Sequence, residues 1–441
     1  MFRLLPLWLL LPLSAHAGEA APSVSAPEWI AAAIFALAIV HTFSTKFFAH
    51  LAHLQPRHAG LWHLLGEVEA VFGFWAFVLI VSLFWLSGKD AAVDYLDRRE
   101  FAEPMFVFVI MVIAASRPIL HSVIAFVELV ARLLPVQRAL GVYFLCVAVV
   151  PMLGSFITEP AAMTLAALML RDRFYQRGLS DRLKYATLGL LFVNVSIGGT
   201  LTNFAAPPVL MVAGKWGWDS LFMLSHFGWK AATAIAVSSL ACTLMFRKEI
   251  AARGPQAGEG AAAAGVPATV SAIHLAFLAG VVVFAHHPVV FMGLFLFFLG
   301  YTEAYPEHQD RLILREGLMV AFFLAGLVVL GGFQQWWLQR TLVGVEPTVL
   351  YFIATGLTAI TDNAALTYLA SLVEGVSAEF KYAVVAGAVT GGGLTIIANA
   401  PNPAGAAILK GHFDDEAISP LGLFLAALPP TCVAIVAFMA L

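Results

Sequence analysis

Charge is what this chain has least of: of its 441 residues only 12% are Asp, Glu, Lys or Arg, and the net charge is −3. Ordinary soluble domains carry about twice that fraction, so a conventional hydrated surface is excluded. No Lys/Arg-rich run stands apart from the loops, and nothing points to a nucleic acid or an acidic partner. Cysteine is scarce as well. Cys146, Cys242 and Cys432 all fall in apolar stretches without metal-ligand spacing, which leaves them as packing residues. Neither GxSxG nor HExxH occurs, so the chain lacks those signatures of a hydrolase, and neither enzymatic activity nor a cofactor is expected.

What remains is hydrocarbon. The chain is 61% hydrophobic with a mean hydropathy of +0.88, the composition of an all-α polytopic membrane protein. Residues 1–17 read as a signal peptide: Arg3, an apolar run from Leu4 to Leu13, then Ala15-His16-Ala17. The run is too short to span a bilayer. Cleavage after Ala17 places the mature N-terminus outside, in a multi-pass protein of the cell inner membrane.

Apolar spans are expected at about 28–46, 64–87, 104–131, 183–214 and 221–246, and again at about 270–286, 288–302, 312–333, 379–410 and 420–440. Two further apolar stretches, about 139–172 and 346–373, are interrupted at Pro151–Pro160 and Thr358–Asn363. They are expected to form re-entrant hairpins, a shape tolerated at membrane depth only where protein or water covers the backbone. The halves, 18–253 and 272–441, then share one order: three spans, a hairpin, a broken span and a last span. Five spans is an odd number, so the second half is expected to lie inverted. The basic loop from Arg171 to Lys184, and Arg247, Lys248 and Arg253 after the fifth span, both fall on the cytoplasmic side, whereas the acidic stretch Gly88–Glu100 falls outside. Residues 254–271 are an Ala/Gly-rich cytoplasmic linker.

The chemistry concentrates where the halves repeat. Ile157-Thr158-Glu159-Pro160-Ala161-Ala162 in the first hairpin matches Ile360-Thr361-Asp362-Asn363-Ala364-Ala365 in the second. Each places one carboxylate in hydrocarbon, at a cost of roughly 2.5 to 3.5 kcal/mol unless it is protonated, paired or bound to a cation. A carboxylate that binds either a proton or Na⁺ can exchange one for the other, which nominates Glu159 and Asp362 as metal ligands. The alternative role is a helix N-cap, and the two roles can coexist. Downstream, Gly199-Thr200-Leu201-Thr202 before Pro207-Pro208 and Gly392-Gly393-Leu394-Thr395 before Pro401-Asn402-Pro403 break both fourth spans at the midplane. Thr158, Thr200, Thr202, Asn203, Thr361, Asn363, Thr395, Asn399 and Asn402 supply oxygens suited to a hard cation, while the helices that resume offer N-termini suited to an anion. Either sign of substrate remains open at this point, and each Thr hydroxyl has its own helix backbone as an alternative partner.

At these same residues, GGGLTIIANAPNPAG from Gly391 and GGTLTNFAAPP from Gly198, the chain resembles the ion-transporter superfamily. The resemblance is strongest to the family described as "putative Na⁺/H⁺ antiporter", whose relatives are NhaD-type antiporters, arsenite pumps and dicarboxylate carriers. It implies a scaffold and a mobile domain built from two hairpins and two broken helices, with homodimers common among the relatives. The dicarboxylate carriers have Ser-Asn-Thr type hairpin tips. Thr158-Glu159-Pro160 and Thr361-Asp362-Asn363 add negative charge there and favour a cation.

The expected function is therefore a secondary transporter exchanging Na⁺ or a similar monovalent cation for H⁺ across the lipid bilayer. An anion or organic-acid carrier is the alternative. Among other charged or titratable groups, Glu67, Glu69 and Arg117 suit a gate or helix-end ion pairs. His41, His50, His53, His58 and His63 suit a solvated cytoplasmic loop.

Overall fold

The computed structural model describes residues 24–255 and 265–441, so the signal-peptide reading and half of the linker lie outside the described residues. The chain is 81% helical and no strand occurs among the described residues. In chain order the helices are α1 (Ala26–Thr42), α2 (Thr45–Leu54), α3 (Ala59–Gly66), α4 (Val68–Ser87), α5 (Lys89–Asp97), α6 (Ala102–Ala114) and α7 (Arg117–Leu133). Then come α8 (Arg138–Ile157), α9 (Glu159–Arg173), α10 (Asp181–Gly198), α11 (Pro207–Trp216), α12 (Ser220–Met245) and α13 (Arg247–Arg253). The second half holds α14 (Ala268–Val283), α15 (Pro288–Ala304), α16 (Leu314–Gly331), α17 (Gln335–Leu342), α18 (Pro347–Thr358) and α19 (Asn363–Ser371). It ends with α20 (Ala378–Gly391), α21 (Asn402–Leu409) and α22 (Pro420–Ala440). Among the described residues five helices are long and apolar enough to cross a membrane, six if α6 and α7 count as one span, and α1, α14, α15 and α18 are shorter apolar helices.

Two sequence expectations change. The span expected at 104–131 is two helices, α6 and α7, bent by 62°. Ser116 is extended as the N-cap of α7, and Pro118 in the first turn suits a new helix start. The expected histidine loop is instead α2 and α3, and His41 is buried, its Nε2 against the Leu65 carbonyl oxygen (2.9 Å) while Trp75 Nε1–H donates to its Nδ1 (3.0 Å). The helix-end charges pair between halves, Glu67 with Arg315 (2.7 Å) and Arg117 with Asp310 (3.7 Å), in largely exposed contacts worth little stability.

The first three apolar segments of each half pack together, α4 against α16 and α1, and α6 against α14, α15 and α16. The later segments form a second body with reciprocal partners. Helix α8 lies on α10 and α18 on α20. The outgoing helix α9 packs on α21 from the other half, and α19 packs on α11. Each half thus supplies the support for the other half's hairpin. Hydroxyl pairs join each incoming helix to the broken span beside it, Tyr143 with Thr187 (2.7 Å) and Tyr351 with Thr390 (2.8 Å).

Helix α22, whose 21 residues extend about 30 Å, relates the two broken spans. Ser419, at its start, donates from its backbone N–H to the hydroxyl of Tyr185 in the first turns of α10. Tyr382, in the first turns of α20, donates to the Phe438 carbonyl at its far end. Helices α10 and α20 therefore begin at opposite ends of α22. They meet further along, where Ser196 donates to the Val389 carbonyl (2.7 Å) and a side chain on Gly393 would come within 2.4 Å of the Val193 backbone.

The charge bias predicts which of these ends faces the cytoplasm. Single cysteines placed in 171–184 are expected to resist an impermeant thiol reagent applied to intact cells, and cysteines in 88–100 to react. The reverse pattern would invert the assignment.

Candidate functional site

The first hairpin is built around a proline. In α8 the helix loosens into a π turn over Leu145–Val149, and Pro151 cannot donate to the Val147 carbonyl four residues earlier. That carbonyl is satisfied by Asn194 Nδ2 (2.7 Å) and Ser239 Oγ (3.3 Å), so buried polar side chains of α10 and α12 pair a backbone group that lipid would leave unsatisfied. At the tip Thr158 takes φ 73 and ψ 150, a backbone region that a β-branched residue rarely adopts and that costs about 1 to 3 kcal/mol. The turn releases Glu159 as the first residue of α9, with Pro160 behind it where a missing N–H costs nothing.

Glu159 is fully buried. Its Oε2 accepts from Asn399 Nδ2 at 2.9 Å, across 240 residues of chain. Its Oε1 has no hydrogen-bond partner and faces Gly199, where an added Cβ would lie 2.3 Å away. Glycine at 199 is therefore what lets the first break close over the carboxylate. Ser155 fastens the same break: its Oγ donates to the Gly198 carbonyl (2.7 Å) and accepts from Leu201 N–H (2.9 Å), while Thr202 Oγ1 donates to the Ser155 carbonyl (2.6 Å).

The second hairpin turns at residues 359–362. Asp362 is a partly buried N-cap of α19, its Oδ1 accepting from Ala364 (2.8 Å) and Ala365 (3.2 Å) N–H groups. The capping role anticipated for it is present. Asn363 follows, donating its backbone N–H to the Ala398 carbonyl (3.2 Å). Residues 398 and 399 of the second break consequently touch both tips, Ala398 at the second and Asn399 at Glu159 of the first. Thr395 Oγ1 donates to the Ala359 carbonyl (2.8 Å), and Asn402 Nδ2 bridges the break to the carbonyls of Gly392 (2.7 Å) and Thr395 (2.8 Å).

Apart from Asp362, whose Oδ1 caps α19, the sequence-nominated residues separate into two groups. Thr158, Glu159, Asn363, Asn399 and Asn402 each keep a buried side-chain oxygen with no partner, and Thr358 adds another. An unsatisfied buried acceptor costs about 1 to 3 kcal/mol, and these concentrate at two tips and one break. Hydroxyl, amide and carboxylate oxygens are the ligand set of a hard cation. The second group spends its hydrogen bonds elsewhere. Thr200 and Thr361 donate to carbonyls of their own helices, at Ile197 (2.6 Å) and Leu357 (2.9 Å). Asn203 bonds the Trp218 carbonyl (3.1 Å) and the Ser220 hydroxyl (2.8 Å). Thr202 and Thr395 anchor the breaks. Ser155 and Thr358 were missed, although the repeat carried the signal: a hydroxyl three residues before Thr158 and another three before Thr361.

No curated protein matches the chain. Residues 27–441, nearly all of it, match the family described as "Putative Na+/H+ antiporter", and the chain belongs to that family of membrane transporters.

Proposed function

We propose that the protein exchanges Na⁺ or a similar monovalent cation for H⁺, with Glu159 and Asp362 as carboxylates that hold either ion in turn. The observation that carries this reading is the buried Glu159, whose Oε1 is unpartnered amid the orphaned oxygens of Thr158 and Asn399. A naked carboxylate there is costly, and a proton or a partly dehydrated cation relieves the same cost. A second carboxylate at the other tip, Asp362, adds negative potential, which supports a cation over the organic-acid alternative. The opposed starts of α10 and α20 and the exchange of partners between halves support an inverted repeat with re-entrant hairpins. On this reading the hairpin-bearing body moves against the body formed by α1, α4, α6 and α14–α16.

Purified protein in liposomes, given a pH gradient and a panel of monovalent cations and organic anions, tests the proposal. Proton release should follow added Na⁺ or another monovalent cation. Because protonation removes the carboxylate that binds the cation, the apparent KM for the cation should rise as pH falls, approaching about tenfold per pH unit once the site is mostly protonated. A KM independent of pH, or transport that responds only to organic anions, would overturn the exchange.

A further inference from the structure

A cavity of about 240 Å³ opens where α6, the turn between α14 and α15, and the region around the first break meet, and the exchange mechanism leaves it unused. Its wall includes Glu103 of α6, His286 of the α14–α15 turn, and Asn203, Gly214, Asp219 and Ser220 of the broken span and the segment after it. Glu103 forms no ion pair with a described residue, and it reaches across the boundary so that a Cβ on Gly214 would lie 3.4 Å from its Oε1. The volume holds about eight waters, enough for a monovalent cation with its first hydration shell. Asn203 connects the cavity to the ion site: Gly199, four residues earlier, covers Glu159, and four residues extend at most about 14 Å. Lys381, near the start of α20, sits over the Trp216 ring at 5.7 Å, which places the cavity at the end of the molecule assigned to the outside.

We propose that this cavity is an extracytoplasmic vestibule in which Glu103 and Asp219 recruit the hydrated cation before it reaches Glu159. The inference rests on the antiporter reading. Two carboxylates in a recess raise the local cation concentration and act most strongly at low ionic strength. They act only on ions arriving from that side.

Glu103→Gln, Asp219→Asn and the double variant, reconstituted in one orientation, test it, with Na⁺ added to one face at a time. Asparagine preserves the cap that Asp219 Oδ1 makes to Phe222 N–H (2.7 Å), so the turn should survive. In the double variant the apparent KM for Na⁺ added on the extracytoplasmic face should rise about two- to fivefold at low salt. The increase should shrink as salt is raised, with the maximal rate and the cytoplasmic KM near wild type. Glu103→Asp should restore the affinity. A KM change equal on both faces, a change insensitive to salt, or no change overturns the vestibule. Absence of cation–proton exchange in the wild-type protein would instead overturn the antiporter reading.

Discussion

Glu159→Gln should reduce cation–proton exchange to background, a loss on the order of 100-fold or more, as is usual when a group that must exchange a proton is removed. The amide matches the carboxyl in size, and its oxygen can still accept from Asn399 Nδ2, so the contact that joins the first tip to the second break persists. Its NH₂ group replaces the oxygen that has no partner beside Gly199. What disappears is the ability to be an anion at one moment and a neutral acid at the next. A neutral side chain also removes the desolvation cost of a buried charge. Thermal unfolding followed by tryptophan fluorescence should therefore show a melting temperature equal to or above that of the wild type while transport is lost. A variant that still moves cations against a proton gradient at near wild-type rate would show that Glu159 is only a structural group.

Asp362→Asn should also bring exchange to background, and here the comparison with Asp362→Ala separates charge from capping. Asparagine caps helices as well as aspartate does, and its side-chain oxygen can accept from Ala364 and Ala365 as Oδ1 does. Alanine removes both bonds, at a cost of about 1 kcal/mol to the start of α19. If the charge is what matters, both variants fail to exchange, and only the alanine variant is measurably less stable. If Asp362 is a cap and nothing more, the asparagine variant transports normally. That result would leave Glu159 as the sole exchanging carboxylate.

Much of the framework was legible because it is written in local chemistry. Prolines at 151, 160, 207 and 403 remove donors that a continuous helix needs, and the glycines at 199, 392 and 393 mark where the side chain of Glu159, the side chain of Ser196 and the backbone of Val193 come close. A carboxylate inside an apolar run is anomalous on its own, so Glu159 and Asp362 could be nominated before any contact was known. The bend at Ala115–Ser116 was misread as continuous because α6 and α7 together carry the hydropathy of one long span, and hydropathy does not register direction. The helices α2 and α3 were hidden for the opposite reason, since histidines and glycine there look like a loop until Leu65 and Trp75 enclose His41.

The sequence by itself determined that this is a helical membrane protein with two polar breaks and two acidic tips, because burial in lipid penalises every unpaired donor, acceptor and charge residue by residue. Only the tertiary structure decided which oxygens are left without a partner. Thr200 and Thr361 turned to their own helices and Asn203 to Trp218 and Ser220, while Asn399 crossed 240 residues to reach Glu159. A hydroxyl or amide can satisfy itself locally or across the fold at similar free energy. Which of the two occurs depends on the neighbour that packing brings within 3 Å, and for Asn399 that neighbour comes from the other half of the chain.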